Sequence, residues 1–119
     1  MRVFISQPMH GLTDEEIQKN KEEAIEEIKR LYHFFDKNGE LEIVSTTEQR
    51  KHEILPKNAS RLWWLGRAIQ MLEDADVIYM CRGWNKSSGC RVEKYVAHEY
   101  DISIHYQGEK SARKDDDEN

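Results

Sequence analysis

The sequence has few of the features that mark secreted, membrane or metal-binding proteins. Its two cysteines among 119 residues, Cys81 and Cys90, form neither a CxxC pair nor a metal-ligand spacing. We expect both to be reduced and packed in the interior. No apolar run approaches the roughly 20 residues of a transmembrane helix, and the N-terminus lacks the apolar region and cleavage site of a signal peptide. These absences predict a soluble, cytoplasmic protein with no membrane partner.

An excess of positive charge is also missing. The chain has 18 Lys and Arg against 23 Asp and Glu, a net charge of −5. Without a basic stripe we expect no nucleic-acid polymer as partner. Much of the negative charge lies in "EKSARKDDDEN", which has no apolar periodicity. We therefore predict one domain over residues 1–107, followed by a disordered acidic tail over 108–119.

Strand and helix patterns alternate along the predicted domain. Short apolar runs predict four strands, of which the third is the most apolar and hence central: 2–6, 41–45, 75–81 and 101–106. Three helices are predicted between them: from the capping box of Thr13 and Glu16 to about residue 36, from Ser60 to Leu72, and over about 89–100. This order favours an α/β fold with a parallel sheet of four to five strands and helices on both faces.

In such a sheet, ligands bind beyond the carboxyl ends of the strands, where the strand order reverses. Three predicted loops lie at that edge: "SQPMHGLT" (6–13), the polar segment 46–58, and "CRGWNKSSG" (81–89). The first and third loops meet if the first and third strands are neighbours. The first loop lacks the glycine spacing of a dinucleotide fingerprint or a P-loop, so we expect no nicotinamide or nucleoside triphosphate site. Its backbone N–H groups suit a modest anion site, and the alternative is a simple strand-to-helix connection.

The third loop holds the residues best suited to chemistry. Gly89 lets the backbone approach a ligand, and the hydroxyls of Ser87 and Ser88 suit a phosphate or a sugar hydroxyl at the start of a helix. Ser88 is alternatively only the helix cap. Glu93 is expected in the first turn, where the helix dipole favours its ionised form. It is either an ordinary surface carboxylate or a nucleophile toward a carbon that develops positive charge.

Two further side chains in these loops have alternative interpretations. His10 is suited to contact a phosphate or to act as a general acid, and the alternative is an exposed loop histidine. Trp84 is suited to stack on a base, or to cover the end of the sheet.

Three segments together resemble the nucleoside 2-deoxyribosyltransferase-like superfamily, especially its small phage and bacterial branch. They are "VFISQPMHG", "EDADVIYMCRGW" and "SSGCRVE", and the resemblance extends over about residues 1–106. It implies a flavodoxin-like, three-layer α/β/α fold that acts on a nucleoside or nucleotide without a metal or organic cofactor. It also implies a homodimer or higher homo-oligomer in which neighbouring subunits complete the pocket.

The resemblance assigns roles to particular residues. Glu93, four residues after Gly89, matches the glutamate that attacks C1′ of the deoxyribose in active members. Ser87 matches the serine that binds the 5′-phosphate in a related enzyme, the 2′-deoxynucleoside 5′-monophosphate N-glycosidase. The first loop matches a segment that wraps around the nucleotide in that enzyme, here Ser6, Gln7, Pro8, Met9, His10 and Gly11.

One position departs from the pattern of the active members. They carry an aspartate about eight residues before the position of Asp76, where this chain has Ala68. The group that protonates the leaving base is therefore unassigned. The alternatives are His10, substrate-assisted chemistry, and a group of the 46–58 segment, which contains Glu48, His52 and Glu53. The sequence predicts an enzyme that cleaves or exchanges the N-glycosidic bond of a 2′-deoxynucleoside or its 5′-monophosphate. The alternatives are a catalytically inactive nucleotide-binding or sensor module and an interaction domain with a vestigial cleft.

Overall fold

The protein is an α/β domain built on a four-stranded, all-parallel sheet. In the computed structural model, which describes residues 1–47 and 60–114, the strands are β1 (Arg2–Ser6), β2 (Glu42–Val44), β3 (Val77–Met80) and β4 (Ser103–Tyr106). Their order across the sheet is β2-β1-β3-β4. The third strand is central, as predicted. The first and third strands are neighbours, which is the condition for their loops to meet, and the strand order reverses between them.

Four α-helices connect the strands within the described residues. They are α1 (Asp14–Leu31), α2 (His33–Lys37), α3 (Arg61–Leu72) and α4 (Ser88–Glu99), and a short 3-10 helix spans Trp84–Lys86. The predicted capping box of α1 is confirmed, because Thr13 and Glu16 each bond the other's backbone N–H. Ser60 caps α3 through the N–H of Trp63, also as predicted.

Two apolar clusters cover the two faces of the sheet, which makes the fold a three-layer sandwich consistent with the flavodoxin-like expectation. On one face α3 and α4 pack against the sheet, with a core of Phe4, Ala68, Leu72, Ile78, Met80, Cys90, Ala97 and Ile104. On the other face α1 packs against Val3, Ile5, Val77, Tyr79 and Cys81 through Ala24 and Ile28. Successive residues of β1 and β3 thus alternate between the faces, and all of β3 is buried.

Several predicted boundaries are wrong. The predicted first helix is interrupted at Tyr32, where φ is −106° and ψ is 37°, and α2 follows as a separate short helix. The last strand begins at Ser103 rather than 101, because Asp101 adopts a left-handed φ of 59° after α4. Thr46 and Thr47, predicted as loop, are helical and buried. The rest of the predicted 46–58 loop lies outside the described residues.

The predicted disordered tail is wrong for residues 108–113. After β4 the chain turns back, and Ile104 and Arg113 form an antiparallel bridge with N···O distances of 2.7 and 2.9 Å. The N–H of Gly108 donates to Glu27 Oε1 at 2.9 Å, and the carbonyl of Glu109 contacts His105 Nε2 at 2.8 Å. This segment is therefore part of the domain, whereas residues 115–119 lie outside the described range.

Within the described part of the chain, none of the helices is both long enough and apolar enough to cross a lipid bilayer.

Candidate active site at the carboxyl edge of the sheet

The first and third loops meet where β1 and β3 end. Ser6 pairs with Met80 in the register of the two strands, and the N–H of Cys81 donates to the carbonyl of Ser6 at 2.9 Å. Gly83 has a left-handed φ of 85°, and a Cβ placed there would lie 3.6 Å from Pro8 Cγ. The expected meeting of the loops is thus confirmed, at the point where the strand order reverses.

The third loop leads directly into α4 through a serine cap. Ser87 is the cap, because its Oγ accepts from the N–H of Cys90 at 3.3 Å. Ser88 is the first residue of the helix, and its hydroxyl accepts from the Arg91 guanidinium at 3.2 Å. The interpretation of Ser88 as the cap is therefore wrong. With this start, Glu93 lies in the second turn of α4 rather than the first.

The carboxylate of Glu93 points toward the end of β1. Its Oε1 lies 2.6 Å from the hydroxyl of Ser6, a residue 87 positions earlier in the chain. Ser6 has no exposed surface, and Glu93 as a whole is half-buried. Glu93 is thus no ordinary surface carboxylate, since one of its oxygens is held at the edge where a ligand is expected.

The environment of Glu93 opposes its ionised form. Desolvation raises the pKa of its carboxyl to about 7 from an ordinary value of 4.5, and the hydrogen bond from Ser6 acts in the opposite direction. The expectation that the helix start keeps Glu93 ionised is therefore wrong, because the dipole effect falls off after the first turn. A carboxyl whose pKa is strongly raised by burial is typical of functional sites.

Cys90 lies beside the same pair. Desolvation raises the pKa of its thiol, the nearby hydroxyls of Ser6 and Ser87 lower it, and the charge of Glu93 raises it further. The net shift is upward, mainly because the thiol is buried. Cys90 is therefore protonated at neutral pH, which is inconsistent with a nucleophilic thiolate.

The remaining residues of the first loop differ in how deeply they are buried. Gln7 is buried, and its Nε2 donates to the carbonyl of Ile17 at 3.0 Å, which ties the loop to α1. Pro8 and Met9 are half-buried, whereas His10 and Gly11 are exposed, with a left-handed φ of 82° at Gly11. The structure therefore brings Ser6 and Pro8 to the third loop and leaves His10 in an exposed turn.

Trp84 packs against the end of the sheet. Its ring centroid lies 5.5 Å from that of Tyr106, and Lys94 Nζ lies 5.3 Å from the centroid of the Trp84 ring. The side chain also packs against the core on this face. These contacts fit the alternative in which Trp84 covers the sheet. By contrast, a Cβ placed on Gly89 would meet nothing within 4 Å, so the space beside this residue is open.

The position of the expected acid lies in the core. Ala68 is 1% exposed and packs in the cluster beneath α3 and α4.

No group of three or more His, Cys, Asp or Glu side chains able to hold a metal ion occurs within residues 1–47 and 60–114. The groups that the described residues bring to this edge include the Glu93 carboxylate, serine hydroxyls, the basic side chains of the third loop and backbone N–H groups.

The chain matches the model of one known protein family over both loops and Glu93. The model of a family described as a domain of unknown function (DUF4406) matches residues 1–106. The chain belongs to this family. No curated protein and no solved structure matches it. Both loops and Glu93 lie within the matched residues, so the candidate site is in the DUF4406 domain itself.

Two contacts that shape the site were not predicted from the sequence. Ser6 was expected in the first loop but not against Glu93. Gln107 was given no role, but its Oε1 accepts from the N–H of Arg82 at 2.8 Å and supports the start of the third loop. No sequence signal indicates these contacts, because each joins residues that only the folded sheet brings together.

Proposed function

We propose that the protein cleaves or exchanges the N-glycosidic bond of a 2′-deoxynucleoside or its 5′-monophosphate, with Glu93 as the nucleophile. The observation that carries this proposal is the Glu93 carboxylate, held by Ser6 beside two loops at the carboxyl edge of the sheet. In parallel α/β sheets this edge, at the reversal of strand order, is where ligands bind. The resemblance to the nucleoside 2-deoxyribosyltransferase-like superfamily supports the same residue, since Glu93 follows Gly89 at the spacing of its active members.

The charge of the third loop supports a phosphorylated substrate. Residues 82–92 contain Arg82, Lys86 and Arg91 and no acidic residue, although the chain as a whole carries a charge of −5. The Arg91 guanidinium lies over the start of α4, donating to the carbonyl of Asn85 and to Ser88 Oγ at 3.2 Å each. Basic side chains next to the N–H groups of a helix start favour an anion such as a 5′-phosphate.

The reaction uses the two carboxylate oxygens differently. Glu93 Oε1 stays hydrogen-bonded to Ser6, and Oε2 attacks C1′ of the deoxyribose. The C1′–N bond breaks, its electron pair remains on the base nitrogen, and that nitrogen or another ring position takes a proton. Water or the nitrogen of a second base then attacks C1′ and releases the Glu93 carboxylate. Because Ala68 supplies no acid, the proton for the leaving base comes from solvent or from the substrate.

A base-release assay tests this proposal. The purified protein is incubated with 2′-deoxynucleosides, their 5′-monophosphates and the ribose analogues, each with and without a second free base. We expect base release from a deoxy substrate, with kcat/KM rising as the pH increases through about 7 because the nucleophile must be ionised. Glu93→Gln is expected to lower the rate by on the order of 1,000-fold.

The matched control is Glu99→Gln on the same helix, where the glutamate is exposed. It should retain wild-type turnover. Equal turnover by Glu93→Gln and wild-type protein would contradict the role of Glu93, and a lack of base release from every substrate would contradict the enzymatic function.

A second candidate function is a nucleotide-binding protein without turnover. Ala68 favours it, because the position of the expected acid is occupied by a methyl group within the core. The same panel separates the two functions when binding is measured by calorimetry. A binder would bind a nucleotide with micromolar or tighter affinity, release no base, and retain binding in Glu93→Gln.

We also propose that the protein works in the cytoplasm as a homodimer or higher homo-oligomer. Both cysteines are free, which suits a reducing compartment. Leu62 of α3 and Val92 and Tyr95 of α4 are exposed large apolar residues on two helices of the same layer. Since Val92 directly precedes Glu93, a second copy packed on this layer would lie close to the candidate site.

A further inference from the structure

Ser6 and Glu93 form an internal pair within the site. Ser6 ends β1, and its Oγ lies 2.6 Å from Glu93 Oε1. This distance is typical of a hydroxyl that donates to a carboxylate. An ionised carboxylate only accepts hydrogen bonds, so the single proton of the Ser6 hydroxyl points to Glu93 whenever Glu93 is charged.

Burial restricts what Ser6 can do. Its exposed fraction is 0%, so its hydroxyl does not reach a ligand in the open space near Gly89. It is therefore unsuited to attack a substrate itself, even though a carboxylate lies next to it. Any effect of Ser6 on a reaction must act through Glu93.

Cys90 lies beside this pair as a neutral neighbour. Burial raises the pKa of its thiol, so Cys90 is protonated at neutral pH and adds no charge next to Glu93. The hydrogen bond from Ser6 is what favours the ionised form of Glu93 against desolvation.

We propose that Ser6 is a positioning residue that fixes the Glu93 carboxylate and leaves Oε2 as the oxygen presented to the ligand. The Ser6 hydroxyl binds Oε1 and thereby sets the rotation of the carboxylate. The effect on turnover rests on the proposed glycosidic function. The effect on the carboxylate itself does not, and it is measurable without substrate.

The test measures the ionisation of Glu93 directly. Protein labelled with 13C at the glutamate carboxyl carbons is titrated by NMR, and the Glu93 signal is assigned by its loss in Glu93→Gln. Ser6→Ala should raise the pKa of Glu93 above the wild-type value, because the bond that favours the carboxylate is lost. Ser45→Ala is the matched control, since Ser45 is also buried but its hydroxyl bonds Thr47 Oγ1 at 2.7 Å, on the neighbouring chain segment after β2.

Turnover provides a second readout. With the best substrate of the base-release assay, Ser6→Ala should lower kcat by about tenfold to hundredfold near neutral pH while KM stays within about twofold. Ser6→Cys, which keeps a weaker donor, should give intermediate values of both the pKa of Glu93 and kcat. Circular dichroism spectra verify that each variant is folded. If Ser6→Ala does not fold, the result for Ser6→Cys decides the test.

The outcomes separate this proposal from the proposed function. An unchanged pKa of Glu93 in the folded Ser6 variant overturns the positioning role, whatever the activity. A raised pKa in a protein that releases no base from any substrate supports the positioning role and contradicts the glycosidic function. A raised pKa with unchanged kcat overturns the inference that the Ser6 bond prepares Glu93 for attack.

Discussion

At the scale of single residues, Glu93 gives the site a characteristic pH dependence of stability. Its pKa is raised by desolvation to about 7 in the folded protein, from an ordinary value of 4.5. Between these values the unfolded chain has lost the proton that the folded protein keeps, so stability falls as the pH rises. Below the lower value both states are protonated, and above the higher value the loss is complete.

Glu93→Gln should remove this dependence. The amide stays neutral at every pH, so relative to wild-type protein the variant gains on the order of 2–3 kcal/mol between about pH 5 and about pH 8. Urea unfolding across this range measures the difference, and Glu99→Gln serves as the exposed control. A difference in the free energy of unfolding between the two proteins that stays constant with pH would mean that the Glu93 carboxyl is not desolvated.

The residues of the site were only partly predictable from the sequence. The resemblance, through the spacing from Gly89 to Glu93, predicted the carboxylate as a site residue, and the strand order brought the first loop to the third. The raised pKa of Glu93 was not predictable, because desolvation depends on how deeply α4 packs against the sheet. The Ser6 bond also depends on tertiary structure, since it joins the end of β1 to the second turn of a helix 87 residues away.

At the scale of secondary-structure elements, the cap of α4 couples helix stability to the site. Ser87 satisfies the N–H of Cys90 in the first turn, and Glu93 in the next turn is held by Ser6. Ser87→Ala should therefore lower the free energy of unfolding by about 1 kcal/mol, the usual effect of losing a serine cap. Ser88→Ala should change it by less than about 0.5 kcal/mol, because Ser88 is exposed at the first helical position.

Urea unfolding at neutral pH compares the two alanine variants directly. Equal losses would mean that the cap bond of Ser87 does not contribute more than the exposed hydroxyl of Ser88. This comparison also addresses the sequence prediction that Ser88 caps the helix, because adjacent serines before a helix look alike in a sequence. Only the backbone angles, extended at Ser87 with φ −105° and ψ 120°, distinguish the cap.

The type and order of the elements were predictable, whereas several ends were not. Alternating apolar runs and the capping box at Thr13 determined the parallel sheet and the start of α1. The end of α1 at Tyr32 was not predictable from the sequence, because apolar residues continue the helical pattern beyond it. In the folded protein the Tyr32 hydroxyl lies 3.2 Å from His105 Nδ1, a contact with β4 that local periodicity does not encode.

At the scale of the whole molecule, the segment after β4 links the two faces of the sheet. Gly108 bonds Glu27 of α1, and Gln107 bonds the backbone of Arg82 at the start of the third loop. Glu27 Oε1 also accepts from the Tyr79 hydroxyl of β3 at 2.8 Å. The composition of this segment predicted a solvated tail, because charge-rich sequence gives no indication of backbone bridges such as that between Ile104 and Arg113.

The proposed self-association is expected to use one helical layer of the molecule and not the other. Tyr95 of α4 is 64% exposed on the layer that carries Glu93, and Phe34 of α2 is 68% exposed on a helix that follows α1 on the opposite layer. Large exposed apolar groups mark interaction sites when they cluster, and Tyr95 has Val92 one turn before it on the same helix. A second copy is therefore expected on the α3 and α4 layer.

Tyr95→Glu should weaken the dimer by about tenfold or more, because a charge at a buried interface position is desolvated without a partner. Phe34→Glu introduces the same charge at an equally exposed aromatic residue and should leave the dimer intact. Sedimentation equilibrium over a range of protein concentrations measures both. A monomeric wild-type protein would contradict self-association altogether, while loss of the dimer in Phe34→Glu alone would place the interface on the α1 and α2 layer, away from Glu93.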